Sequence, residues 1–75
     1  MIIKIKIKRK RFVIEMARAF LNQKALADKL GITPQAVNNF LKDRNNIGIG
    51  TARKVCELFS CDFEDVFEII DHKNT

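Results

Sequence analysis

Isoleucines and lysines alternate at the start of the chain. Ile3, Ile5 and Ile7 are separated by single lysines, and this period of two predicts a β-strand over about residues 2–8 with one buried face. Lysine on the opposite face suits an edge strand, because charge discourages unwanted pairing. A strand cannot stand alone, so this segment needs a partner.

The second extended candidate is the segment 67–71, near the other end of the chain. Antiparallel pairing between the two segments would set lysines near Glu68 and Asp71, and such cross-strand charge pairs are modestly stabilising. Two alternatives stay open. The first strand pairs with its own copy in a dimer, or residues 1–9 form a disordered basic arm, against which the regular isoleucines argue.

Helical spacing of apolar residues replaces this alternation from about Arg9. Near the other end, a loop over 44–50 precedes a helix capped by Gly50 or Thr51, and Asp62 caps the last helix. The predicted buried stripe of the first helix consists of Phe12, Val13, Met16, Ala17 and Phe20. The last two helices are expected to bury Ala52, Val55, Cys56, Phe59, Phe63, Val66 and Phe67.

Two short helices are predicted in the middle of the chain. Asn22 is a good N-cap for the first, and Gly31 ends it, because the position after a helix often needs a left-handed backbone. Thr33 caps the second, Pro34 suits its first position, and it ends near Asp43. Residues expected to face inward are Ala36, Val37, Phe40 and Leu41, and those expected to face outward are Gln35, Asn38, Asn39 and Lys42.

Composition indicates one small basic domain over residues 1–75. The apolar fraction is 47%, which is globular, and 14 Lys and Arg against nine Asp and Glu give a net charge of +5. The charge is uneven, since residues 1–11 carry six basic side chains and no acid, whereas 45–75 carry three basic and six acidic ones. A polyanion, nucleic acid first, should therefore be attracted by the first half, and the last third looks like scaffold or a protein-facing surface.

The inventory of reactive side chains argues against an enzyme. Cys56, Cys61 and His72 are too few for a four-ligand zinc site without carboxylates, and no serine or cysteine has a plausible histidine partner. We expect free, structural thiols, no cofactor, no metal and no small-molecule ligand. Without a secretory or membrane-spanning pattern, a cytoplasmic protein is expected. The six phenylalanines all fall on predicted inner faces, which argues against base stacking.

Two short helices joined by a three-residue turn containing glycine form the helix-turn-helix pattern. Ala27 lies where the helices cross, and its small side chain lets them approach. Ile32 places an apolar side chain under the turn, and the second helix packs on the first through Val37 and Phe40 against Leu26 and Leu30. The outer face is rich in amides, which can pair with adenine edges in the major groove.

The stretch 23–40 resembles the DNA-binding domain of the Cro/C1 (Xre-type) repressors, and the similarity extends over roughly residues 10–70. The resemblance implies an all-α fold, for the most part, of five helices, with the segment 33–42 as recognition helix; the short N-terminal strand is an addition to it. The matching positions are Gln23, Leu26, Ala27, Gly31, Ile32, Thr33, Val37 and Phe40.

The resemblance also implies which residues touch DNA. Gln35 and Asn39 occupy base-reading positions, Asn38 is a further base reader, and Pro34 departs from the usual polar residue, so that it would make an apolar contact such as one to a thymine methyl. Gln23 would touch a phosphate at the start of its helix. The remaining backbone contacts are expected from Asn22, Thr33, Lys42, Arg44, Asn45 and Asn46.

The sequence thus predicts a DNA-binding transcriptional regulator, expected to be a repressor that acts by occupancy as a homodimer on a pseudo-palindromic double-stranded operator. The dimer surface is either the N-terminal strand or the acidic C-terminal helices over 51–70. The alternative function is a protein-interaction module, such as an antitoxin or anti-repressor, with the acidic stretch 57–71 as its surface. RNA binding is a third candidate.

Overall fold

The computed structural model describes residues 2–72 and the side chains of residues 4–70. Met1 and residues 73–75, which the predicted domain includes, lie outside the described residues. Residues 2–72 form the five predicted helices and a two-stranded antiparallel sheet, which was one of the arrangements that the sequence left open. In order, the elements are β1 (Ile2–Ile7), α1 (Arg9–Arg18), α2 (Gln23–Leu30), α3 (Pro34–Leu41), α4 (Ile49–Phe59), α5 (Phe63–Val66) and β2 (Phe67–His72).

The two strands pair with each other within the chain. Their register sets Ile5 opposite Ile69 and Lys6 opposite Glu68, so a lysine lies across from Glu68 as expected. The prediction that a lysine lies across from Asp71 was wrong, because the register pairs Asp71 with Ile3. Of the three arrangements open to β1, the structure therefore has the antiparallel one, and we call the paired strands the ribbon.

Polar contacts fasten the ribbon to the helices at two places. The Lys8 backbone N–H donates to the Val66 carbonyl oxygen at 2.8 Å, and Lys8 Nζ donates to the Glu64 carbonyl oxygen at 2.7 Å. Further along β1, Lys4 Nζ lies 3.6 Å from Asp43 Oδ1, in the turn that follows α3. The ribbon is thus held both to α5 and to the end of α3.

The core brings together side chains from every helix and both strands. Phe12 of α1 lies at its centre, with ring centroids 5.2 Å from Phe59 and 6.1 Å from Phe67 in edge-to-face geometry. The buried apolar side chains are Ile5, Phe12, Met16, Leu26, Ala27, Leu30, Val37, Leu41, Ile47, Ala52, Val55, Phe59, Val66 and Phe67. Five of the six phenylalanines lie in this core or pack against it, as predicted.

One carboxylate is buried beside the core. Glu15 is only 4% exposed, and its Oε2 accepts a hydrogen bond from Arg11 Nε at 2.8 Å, while Arg18 Nη1 lies 3.6 Å away. Its charge is therefore compensated on both sides. The same hydrogen bond raises the pKa of Arg11, which keeps the guanidinium charged. The apolar spacing of α1 did not predict a buried residue at this position.

The helices α1 to α4 end in the same hydrogen-bonded turn, the Schellman motif. In each turn, a residue just beyond the helix has a left-handed backbone. The residue that follows it donates its N–H to the carbonyl oxygen of the residue five positions earlier. These N–H groups belong to Leu21, Ile32, Arg44 and Cys61, and the N···O distances are 2.9, 3.0, 2.9 and 3.2 Å. The left-handed residues are Phe20, Gly31, Asp43 and Ser60, with φ of 59, 72, 57 and 51°.

The turn at the end of α1 shows that the predicted buried face of this helix was partly wrong. Phe20 is 94% exposed rather than buried, because a left-handed residue after a helix points its side chain outward. Leu21 follows the turn and packs against the core in its place. Val13 and Ala17 are also exposed, so α1 buries a narrower face than its apolar residues suggested.

Two predicted boundaries near the C-terminus were wrong. The N-cap of α4 is Gly48, not Gly50 or Thr51, and it offers no side-chain hydrogen bond. The last helix, which Asp62 caps through a capping box with Asp65, ends at Val66, because Phe67 adopts extended backbone and begins β2. The predicted helical region 51–70 therefore consists of most of α4, all of α5 and the first part of β2.

The two cysteines are half-buried neighbours across the turn that ends α4. The turn brings them to the two positions between which this motif usually has an apolar contact. Burial raises the pKa of the Cys56 thiol. Burial, together with the charge of the neighbouring Cys56 thiolate, raises the pKa of Cys61 to about 11. Both residues are therefore neutral packing groups near neutral pH.

The left-handed turns predict opposite effects at two positions. Gly31→Ala should destabilise by about 1 kcal/mol, since a Cβ at this φ is strained although no atom lies within 4 Å of it. Phe20→Gly should stabilise by up to about 1 kcal/mol, because it removes the same strain and little packing. Urea unfolding followed by circular dichroism measures both changes.

The matched control for Phe20→Gly is Ala17→Gly, which introduces a glycine at an exposed helical position in α1. It should destabilise by about 1 kcal/mol, because glycine is a poor residue in helices. A Phe20→Gly variant that is destabilised as much as Ala17→Gly would contradict the role given to the left-handed backbone.

The raised thiol pKa values predict slow alkylation. At pH 8 the Cys61 thiolate in the folded chain should be roughly one-hundredth as abundant as in the unfolded chain, because its pKa lies about two units higher. Iodoacetamide labelling, read by mass spectrometry, should accelerate in the folded protein as pH rises towards 11. Equal labelling rates in buffer and in urea at pH 8 would contradict this prediction.

Candidate nucleic-acid interface

Side-chain caps begin both α2 and α3. Asn22 Oδ1 accepts from the Ala25 backbone N–H at 2.8 Å, and Thr33 Oγ1 accepts from the Ala36 N–H at 3.1 Å. Neither helix has an acidic residue in its first turn, and both caps are solvent-exposed. Each N-terminus therefore presents a partial positive charge, which favours an anion.

Packing between α2 and α3 fixes which face of α3 points outward. α2 buries Leu26, Ala27 and Leu30, and Ala27 is fully inaccessible. From α3, Val37 and Leu41 are buried and Phe40 packs against the same core. The opposite side of α3 is left to its polar residues.

Amide side chains form the exposed face of α3. Gln35 Nε2 donates to Asn39 Oδ1 at 3.3 Å, one helical turn apart. This hydrogen bond leaves Gln35 Oε1 as an acceptor and Asn39 Nδ2 as a donor for another molecule. Pro34 and Gln35 are exposed, whereas Asn38 and Asn39 are half-buried. The four residues expected to read bases are thus on one short helix, and two are in direct contact.

The turn and loop after α3 carry the other expected backbone contacts. Lys42, Arg44, Asn45 and Asn46 are all exposed there. The one acid in this run, Asp43, lies against Lys4 of β1, which offsets its charge. Lys6 is exposed on the same ribbon face as Lys4, because alternate residues of a strand share a face. The basic N-terminal segment is therefore continuous with the end of α3.

The family model of the Cro/C1-type helix-turn-helix DNA-binding domain matches residues 13–72. The chain belongs to this family. The match begins inside α1, so that β1 lies outside the family pattern while β2 lies within it. The Cro/C1-type resemblance that the sequence carries in 23–40 is thus confirmed over most of the chain.

A solved structure has the same fold as this Cro/C1-type domain. The crystal structure of the transcriptional regulator VanUg aligns with a TM-score of 0.66 and 16% identity, covering 92% of this chain and 91% of that one. At this identity the likeness concerns the fold. No curated protein matches the chain in sequence. Within residues 2–72 no helix is long and apolar enough to cross a membrane.

Two features of this surface were missed by the sequence reasoning. Lys24 is exposed in the first turn of α2, next to Gln23, and adds a full positive charge to that helix end. Its position directly after the expected phosphate contact could have indicated it. The ion pair between Lys4 and Asp43 could not have been found, because it joins segments that only the ribbon brings together.

Proposed function

We propose that the chain is a sequence-specific regulator of transcription that inserts α3 into the major groove of double-stranded DNA and represses by occupying its site. The observation that carries this proposal is the hydrogen-bonded pair of Gln35 and Asn39 on the exposed face of a helix-turn-helix. A repressor needs no chemistry beyond binding, which agrees with the residue inventory. VanUg, which has the same fold, is a transcriptional regulator, and this supports the functional class.

The proposed base contacts come from the amides of α3. An adenine presents N7 as acceptor and N6 as donor in the major groove, so an amide group can satisfy both. In the proposed complex, Gln35 and Asn39 read bases and Asn38 contacts an adjacent one. Pro34 supplies an apolar contact, for which a thymine methyl is the matching group.

The proposed phosphate contacts surround this helix. Gln23 and the free N–H groups of the α2 N-terminus bind one phosphate, and the caps Asn22 and Thr33 use the donors that remain after capping. Beyond α3, the exposed loop follows the DNA backbone through Lys42, Arg44, Asn45 and Asn46. These contacts position the helix and carry no sequence information.

The proposed regulator binds as a homodimer. One module of this size buries about 600–1,000 Å² of protein surface on DNA, which seldom suffices for tight binding. A two-fold dimer doubles that area and reads a pseudo-palindrome whose half-sites lie about one helical turn apart. This symmetry gives the operator its expected form.

Removing the amide pair should abolish sequence preference. For Gln35→Ala with Asn39→Ala we expect a loss of about 1–3 kcal/mol per base contact on the selected operator, and little change on random duplex. The operator is first selected from a random duplex pool, and affinities are then measured by fluorescence anisotropy at one fixed salt concentration.

Gln23→Ala is the comparison variant, because a lost phosphate contact should weaken binding to all sequences equally. Unchanged operator preference in the double variant would refute the recognition-helix assignment. The protein-interaction alternative with its acidic surface over 57–71 would then be favoured. Competition with hairpin RNA in the same assay tests the third candidate.

Salt dependence tests the loop after α3. If Lys42 and Arg44 each neutralise one phosphate, the double alanine variant should flatten the slope of log affinity against log salt by about 1.8. Lys54→Ala, which removes an exposed charge from α4, serves as the control and should leave the slope unchanged. Equal slopes for all three proteins would show that this loop does not touch DNA.

A further inference from the structure

An open apolar groove lies between the ribbon and the start of α4, and it borders the proposed DNA-binding surface at Asn46. Its volume is about 710 Å³. Ile5 and Ile69 line it from the ribbon, Ile47 and Ile49 from the α3–α4 loop and α4, and Phe63 from α5. We call it the ribbon groove.

The ribbon groove has a buried floor and exposed walls. Ile5 and Ile47 are 8% and 4% exposed, whereas Ile49 and Ile69 are 79% and 60% exposed. A small molecule in a typical site is enclosed over most of its surface, which these open walls do not allow. The shape instead suits a partner that lays an extended apolar surface over both walls.

Charge at the ribbon groove excludes a nucleic acid and suits a second copy of the chain. The only charged lining residues among those described are Arg53 and Asp62, so the lining is neutral. Arg53 Nε already lies 3.5 Å from Glu57 Oε2 of the same helix. A two-fold interface brings each patch against its own copy, and a patch without net charge can meet its copy without repulsion. A polyanion finds no net attraction here.

The position of the ribbon groove agrees with a dimer on DNA. Its lining begins at Asn46, the last residue of the loop proposed to follow the DNA backbone, and continues through Ile47 and Gly48. A second copy seated here would therefore lie next to the proposed DNA-binding surface of the first. It would also cover Ile69, in the middle of a two-stranded ribbon, which by itself is marginally stable.

A second exposed apolar patch lies on α1 and lacks this complementarity. Val13, Ile14 and Phe20 are 47%, 49% and 94% exposed. The charges on the same helix are all basic apart from the buried Glu15, so two copies of this face would repel. These basic residues are Arg9, Lys10, Arg11 and Arg18.

We propose that the ribbon groove is the surface through which two copies of this chain form a two-fold dimer, with Ile49 and Ile69 at its centre. The proposal names the interface of the homodimer put forward above, and the dimer forms without DNA. The interface thus combines the ribbon with α4 and α5, where the sequence alone left the strand and the C-terminal helices as alternatives.

The test is the mass of the full chain in solution, without DNA. Analytical ultracentrifugation over about 5–500 µM should show a monomer–dimer equilibrium, as expected for an interface of modest area. Ile49→Glu and Ile69→Glu should each weaken the dimer at least about tenfold, because each buries an unpaired charge. Both side chains are mostly exposed, so the fold should persist, which circular dichroism checks.

Phe20→Glu is the matched control, since it makes the same kind of substitution on the α1 patch and should leave the dimer intact. A wild-type chain that stays monomeric over the whole range, or a dimer lost in Phe20→Glu and kept in Ile69→Glu, would overturn the proposal. Operator binding by a wild-type monomer at one half-site would refute this interface alone. A dimer that binds no DNA would refute only the proposed function.

Discussion

The left-handed turn at Gly31 determines where the candidate reading face points. The Ile32 N–H bonds back to Ala27 in this turn, and Thr33 then caps α3 immediately. Because the two helices share one short connection and one buried face, α3 has no freedom to rotate about its axis without exposing Val37 and Leu41. The outward position of Gln35 and Asn39 follows from that constraint.

The same turn explains what the sequence could and could not predict. Where glycine, asparagine or threonine-proline marks a helix boundary, as around α2 and at the start of α3, the prediction was confirmed. The end of α1 was misplaced because Phe20 carries no signal for a left-handed backbone. The start of α4 was misplaced because Gly48 caps without a side chain. Chain-distant contacts, such as Lys4 with Asp43, leave no local pattern at all.

The sequence predicted which residues form the candidate site better than it predicted the contacts between side chains. Helical spacing alone placed Gln35, Asn38 and Asn39 outward, since their neighbours had to fill the core. Their mutual geometry was not predictable, because a hydrogen bond between amides depends on side-chain rotamers. The burial of Glu15 was equally hidden, although arginines one turn before and after it are a signal that spacing of apolar residues ignores.

Charge divides the surface of this chain into parts with different uses. A polyanion needs exposed cations, which Lys42 and Arg44 after α3 and Lys6 on the ribbon supply. A copy of the chain needs an apolar patch without net charge, which the opposite face of the ribbon offers beside α4. A single pair of strands can border both surfaces because its side chains alternate. The Ile-Lys repeat that opens the sequence thus provides one apolar and one basic face from the same few residues.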